Sequence, residues 1–375
     1  MTTKENHYVP RFYLRNFTDN PMVKNGQFDF FNLKSGEHIG VIPHGPQMKE
    51  TYFYEKWSNI EEKLDRDFER KHASLIRKLL EGEMEIENKL LLQVVLLMHF
   101  RTKVMRDKNL ALRQLTIDQH LDWMSSSFRA HLEEEFPGMF SGLSDEALKK
   151  IVQDGAYSEY LKKTDITKKL IENFKWHQRQ VSDLKVVILD NPTGVNLISS
   201  DHPVIHINPF LINHNSKFGR GGLAQLGAIL ALPINPRKLV VCYDSGVYEN
   251  PLDINQGKLS ENDIHNLNKL QILCGTEGIY SLKLPSNISA LISDTLRTKQ
   301  DPVFVQVDLP NNYQLTYTDS KLPNLPLSFI KEKSDFKNDI FVLPYARPAQ
   351  KGWMVSVRYL IRRLLRKGKT FLKKV

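Results

Sequence analysis

Apolar and aromatic side chains crowd the first twenty positions, where HYVPRFYLRNF (7–17) laces them with a histidine and two arginines. A frayed terminus would be polar, and a secretory leader would carry an unbroken apolar run of about 7–15 residues behind a basic start. The stretch is neither. It reads as a segment that docks onto the protein and carries a polar group inward. QFDFFNL (27–33) and HIGVI (38–42), joined by KSGE, predict a short hairpin with Gly36 free to take positive φ in its turn. Helical spacing follows over 57–82: Ile60, Leu64, Phe68, Leu75, Ile76 and Leu79 share a face, Ser58 and Glu61 suit a capping box, and Gly82 ends the run. A second helix is predicted over 87–115, apolar nearly all round in its first half, as a central buried helix would be. Shorter helices are expected at 117–134, 144–153 and 164–181.

Beyond residue 184 the period changes. LKVVILD (184–190), GVNLISSD (194–201), PVIHIN (203–208), GAILALPI (227–234) and KLVVCYD (238–244) are short β-branched runs broken by turn residues. SENDIHNLNKLQILCGTEGIYS (260–281) reads as one helix capped by Ser260, and strand character returns at 303–309, 313–319 and 341–344. The pattern predicts an α+β fold: an N-terminal segment and helical layer packed on a mostly antiparallel sheet, then a basic C-terminal helix. The expected divisions are 1–183, then 184–345 as the same domain or a tightly packed second one, then a tail over 351–375.

Composition adds that 375 residues, 41% apolar and 25% charged, can build a sizeable core. No apolar run reaches the roughly 18 residues that span a bilayer. Cys242 and Cys274 sit in apolar contexts and read as reduced thiols of a cytoplasmic protein. The net charge of +9 is local: residues 351–375 hold nine Lys or Arg and no acid, so 1–350 balance to zero (9 − 9). The body is therefore not a generally basic nucleic-acid binder. In the tail, Met354, Val357, Leu360, Ile361, Leu364 and Leu365 recur at helical spacing, with Arg358, Arg362, Arg363 and Arg366 largely on the remaining surface. That profile fits peripheral contact with an anionic membrane surface, a nucleic-acid anchor, or a helix packed on the body.

Three places carry candidate chemistry. Glu61, Asp65 and Glu69 lie at i, i+4 and i+8 beside the buried stripe of the first long helix, either as a surface charge ladder or as carboxylates for a cation. Arg101 and Arg106 leave the most apolar helix, where a guanidinium needs a carboxylate, a phosphate or backbone carbonyls. In SSDHPV (199–204), Pro203 keeps His202 out of the α region and presents Asp201 and His202 at a strand end; an Asx turn would need the same residues. Nucleophile elbows, P-loops, dinucleotide fingerprints and zinc spacings are absent, and GRGG (219–222) is a weak phosphate-loop candidate.

Taken in order, these pieces resemble the bacterial proteins grouped as domain of unknown function 4238. The matching residues are His7-Tyr8-Val9-Pro10 with Tyr13, Leu14 and Phe17; Ile60-Glu61, Leu64 and Phe68-Glu69; Arg101-Thr102 and Arg106, with Lys103 where a proline is more usual; Ser200-Asp201-His202-Pro203-Val204; and Pro233, Asn268 and Ile279-Tyr280-Ser281. The resemblance covers roughly 6–285 and carries no activity. It singles out His7, Glu61, Glu69, Arg101 and Asp201 as the polar residues of interest. These are the parts of a metal-assisted phosphodiester hydrolase, a nuclease of the kind used in phage defence or as a toxin: Glu61, Glu69 and Asp201 on Mg²⁺ or Mn²⁺, His7 moving a proton, Arg101 on a phosphate oxygen, Asp201 counted in the catalytic set as well. They are equally the parts of a structural ionic lock in a non-enzymatic binding module recruited to membrane or nucleic acid by its tail.

Overall fold

The computed structural model describes residues 5–23, 25–51, 53, 62, 64–82, 87–111, 134, 142, 144–152, 174–214, 222–299, 303–309, 313–319, 322–334 and 347. Glu61, the expected strand at 341–344 and the basic tail over 351–375 lie outside them.

The fold is α+β, and the strand pairs within its sheets are antiparallel. One four-stranded sheet has the order β3-β2-β10-β6: β2 (Gln27–Asn32) and β3 (Glu37–Pro43) form the expected hairpin, and β10 (Gly278–Ser281) lies between β2 and β6 (Ser199–Ser200). The other has the order β5-β9-β8-β7, from β5 (Lys185–Asp190), β9 (Lys238–Tyr243), β8 (Ile229–Asn235) and β7 (Ile205–Ile207). Two small ladders complete the set: β1 (Glu5–His7) with β4 (Lys49–Thr51), and β11 (Val303–Leu309) with β12 (Tyr313–Asp319).

The second sheet is buried on both faces, which explains why GAILALPI and KLVVCY read as unbroken apolar runs. Leu230, Leu232, Val240 and Cys242 join the core on one face, while Ile229, Ala231, Leu239 and Val241 join a second core on the other. The first face meets α3 (Asn88–Phe100), which also packs on α2 (Arg70–Leu80) and α5 (Phe174–Val181). The other face meets α7 (Glu261–Cys274), capped by Ser260 and Asp263. Further helices are α1 (Arg11–Leu14), α4 (Asp145–Val152), α6 (Pro209–Asn213) and α8 (Ile288–Arg297). The first core gathers Tyr8, Leu14, Leu96, Phe174, Val240 and Tyr280, so it crosses residue 183.

Three expectations change. The helix predicted over 87–115 breaks at Arg101 and Thr102: Arg101 closes α3, and Thr102 Oγ1 accepts from Met105 N at 3.4 Å to start a new helical stretch over 103–111. The helix predicted over 260–281 ends at Cys274, and GIYS becomes β10, because Gly275 turns the chain and Asp201 captures the amides that follow. Of the run 194–201, only Ser199 and Ser200 are strand. Neither cysteine forms a disulfide, but Cys274 is only half-buried, and burial pushes the thiol of buried Cys242 up. Among the described residues no helix is long and apolar enough to cross a membrane.

The opening segment is an integral part of the core. Tyr8, Val9, Tyr13, Leu14 and Phe17 are all buried. Phe17 stands edge-on to Tyr280, and the Tyr13 hydroxyl donates to the Pro233 carbonyl at 2.5 Å and meets Ser199 Oγ at 2.9 Å. Phe17→Ala is therefore expected to cost about 3–5 kcal/mol in urea denaturation. A midpoint unchanged from the parent protein would show that the segment is not part of the cooperative fold.

Candidate functional site

Arg101 sits where α3 stops, so its side chain leaves the most apolar helix while remaining 2% exposed. A guanidinium there must be answered inside the protein. Its Nη1 donates to Glu69 Oε1, and its Nη2 donates to the His7 carbonyl at 2.7 Å. Glu69 is brought there by a π-helical turn over Asp65–Glu69, just ahead of α2. Asp65, four residues before Glu69, instead pairs with Arg70 at the surface. The His7 ring faces the other way: Nε2 donates to the Gly45 carbonyl at 2.9 Å. One arginine thus binds a helix turn to the backbone of β1. Beside it lies buried His72, pushed down to about 4 by burial and then by the Arg101 charge.

Asp201 follows β6 and is wholly buried. Its Oδ1 accepts from the amides of Thr276 (2.9 Å), Glu277 (2.9 Å) and Gly278 (3.3 Å), and its Oδ2 accepts from Thr276 Oγ1 at 2.7 Å. Burial pushes the Asp201 carboxyl up, and those donors pull in the other direction. The bonds shape the turn between α7 and β10 and fix the position of Glu277. Glu277 accepts from Tyr8 Oη (2.5 Å), Lys34 (2.8 Å) and Lys103 (2.7 Å). Lys103 also reaches Glu50 at 3.3 Å, and Glu50 takes both terminal nitrogens of Arg106 at 2.9 and 3.2 Å. Arg106 lies over the Phe53 ring, 4.6 Å from its centroid.

A further polar group lies under the break at Arg101. His202 Nδ1 and Thr102 Oγ1 are 2.7 Å apart, and the His99 ring centre is 5.3 Å from that of His202 and 6.0 Å from that of His206. Burial first, and then the neighbouring histidines, hold His99 far below the ordinary imidazole range.

The structure therefore brings His7, Glu69 and Arg101 together. Asp201 reaches them indirectly, through Glu277 and Tyr8. The chemistry expected of a metal site is poorly served by these groups: Asp201 already accepts four hydrogen bonds, and Glu69 is neutralised by Arg101. Among the described residues no three His, Cys, Asp or Glu side chains are grouped to hold a metal ion. A cleft of about 650 Å³ lies elsewhere, between α6 and residues 324–332, and none of the expected residues lines it.

The family model that matches the chain is described as Protein of unknown function (DUF4238), and the match runs over residues 5–283. The chain belongs to this family. Neither a curated protein nor a solved structure matches it. The DUF4238 region takes in every group of the network just described, from Tyr8 to Glu277, and stops before α8, β11, β12 and Arg347. Lys103 is the residue that joins Glu277 to Glu50.

Sequence reasoning missed Thr276, Glu277, Glu50, His99 and His206. The signal for the first two was a polar pair held between glycines in CGTEGIYS, inside an otherwise apolar stretch. His99 was hidden in LLMHF, where a lone histidine in an apolar helix carries no pattern. Burial works against ionisation of Glu277, but the hydrogen bonds from Lys103, Lys34 and Tyr8 outweigh it and hold its carboxyl down at about 2. A carboxyl depressed in the fold contributes stability above its unfolded pKa of about 4.5 and loses that contribution as pH falls toward 2. Glu277→Gln should accordingly flatten the fall of the urea midpoint between pH 4.5 and 2, removing about 2–3 kcal/mol of acid sensitivity. An unchanged pH slope would refute the assignment.

Proposed function

We propose that this protein is a binding module whose polar cluster is an ionic lock, and that its partner is nucleic acid, recruited through the basic residues of 351–375. One observation carries the reading: Glu69, Arg101 and Asp201, the described charged groups expected to do hydrolysis, are answered within the fold. Arg101 donates to Glu69 and to the His7 carbonyl, and Asp201 receives three amides and a hydroxyl. A buried guanidinium with a carboxylate and a carbonyl already has the partners that a phosphate would otherwise supply. The Asp201 carboxylate already has three donors on Oδ1 and one on Oδ2, which leaves little of it for Mg²⁺ or Mn²⁺. The nucleic-acid partner follows from charge: nine basic residues without an acid suit backbone phosphates, whose neutralisation releases counterions.

The test is incubation of full-length protein with RNA and with DNA, each with and without Mg²⁺ or Mn²⁺. Intact nucleic acid is expected in all four conditions. Binding should weaken steeply with salt and be lost when 351–375 are removed. Asp201→Asn should cost about 1–3 kcal/mol of stability, as expected when a charged acceptor of buried donors is replaced. Metal-dependent cleavage that Asp201→Asn abolishes without loss of folding would restore the hydrolase. Binding of anionic vesicles in place of nucleic acid would move the partner to a membrane surface.

A further inference from the structure

Two of the arginines in the opening segment have been left out of every network above. Arg11 lies on α1 and Arg15 on the 3₁₀ turn that continues it (Arg15–Phe17), at i and i+4, so they share one side of the segment. Both Nε atoms are buried and make no hydrogen bond. Among the described residues neither guanidinium meets a carboxylate. Opposite them is the 43–46 loop. His44 in this loop is fully buried, and its Nδ1 donates to the Gly26 carbonyl at 2.8 Å, while Nε2 is buried and unpartnered. The next residue, Gly45, leaves room: a Cβ there would sit 3.4 Å from Arg11 Nη2. The loop is fixed by the His7 ring on the Gly45 carbonyl and by His44 N on the Gly26 carbonyl at 3.2 Å.

Two guanidiniums that meet no carboxylate among the described residues, beside an imidazole whose Nε2 is buried without a partner, form a site that an anion would complete. We infer that Arg11, Arg15 and His44 bind a phosphate group. Arginine is suited to this because its planar fork can donate two bonds to one phosphate, and the rigid loop pre-orders the third member. Burial first, and then the charges of Arg15 and Arg11, hold the His44 imidazole below its ordinary range in the free protein, against the pull of the Gly26 carbonyl. An anion between them reverses that field. His44 then takes up a proton, and Nε2–H becomes a third donor. The inference is independent of the ionic lock and of the tail. The phosphate could be free or part of a phosphodiester chain, and the two sources are separable.

The experiment is titration of full-length protein with inorganic phosphate, and separately with a short oligothymidylate, followed by calorimetry and by the histidine ring resonances. Arg11→Gln and Arg15→Gln should each weaken binding at least tenfold, and Arg15→Lys should retain part of it. The His44 ring pKa should rise on binding, and affinity should grow as pH falls. Because neither guanidinium meets a carboxylate among the described residues, neither Gln variant should melt below the parent protein in the absence of ligand. Binding of phosphate with these losses supports a free phosphoryl ligand; binding of the oligonucleotide alone, with the same losses, supports the diester. If the Gln variants bind as the parent does, or if the parent binds neither probe, the inference is overturned. Binding of oligonucleotide that survives both Gln substitutions but not removal of 351–375 overturns this site and leaves the tail as the nucleic-acid contact.

Discussion

A buried guanidinium at the end of an apolar helix is the constraint around which this fold is arranged. Arg101 cannot be left unpaired in a position 2% exposed, because an uncompensated buried charge costs several kcal/mol. Three features meet that demand together. The π-helical turn ahead of α2 delivers Glu69, β1 offers the His7 carbonyl, and the chain breaks after α3 so that the side chain can turn toward them. The opening segment is thereby placed with its backbone on the lock and its apolar side chains in the core. The His7 ring, released from the lock, is free to hold the 43–46 loop.

Buried charge recurs as a fastener in two more places. Asp201 gathers three amides and a hydroxyl to turn α7 into β10, which is the strand that joins the β2–β3 hairpin to β6. Arg347, from well beyond the family region, takes Asp183 with two nitrogens at 2.7 and 3.0 Å and reaches the carbonyls of Leu223, Gln225 and Gln180. Each group is multiply hydrogen-bonded, as a charge withdrawn from water has to be. Against this background Arg11 and Arg15 stand out: they are cations of the same opening segment that meet no carboxylate among the described residues.

Much of the fold was legible in the sequence. The hairpin over 27–43, the buried helix beginning near 88, β5, β8, β9 and the Ser260 cap follow from hydrophobic period and turn chemistry, which are local properties. What failed was where a distant side chain decides the outcome. Gly275 within CGTEGIYS is a local stop signal, but that its last four residues become a strand is decided by Asp201, about seventy-five positions earlier. The break at Arg101 is likewise set by Glu69 and His7, not by a helix-stopping residue. The arginine, the glutamate and the aspartate of the polar cluster were identified from residue type and order, but their partners were not. Partner choice depends on which surfaces meet, and a single sequence does not encode that in any local pattern.

The account stands or falls on whether Glu69 and Arg101 act as one unit. A double-mutant cycle on Glu69→Ala and Arg101→Met, read as unfolding free energy in urea, measures this directly. Each single substitution should destabilise the protein, and the double variant should be less destabilised than their sum, with a coupling of about 1–3 kcal/mol. Losses that simply add, with a coupling within about 0.3 kcal/mol of zero, would mean the contact is incidental and the lock does not organise the fold.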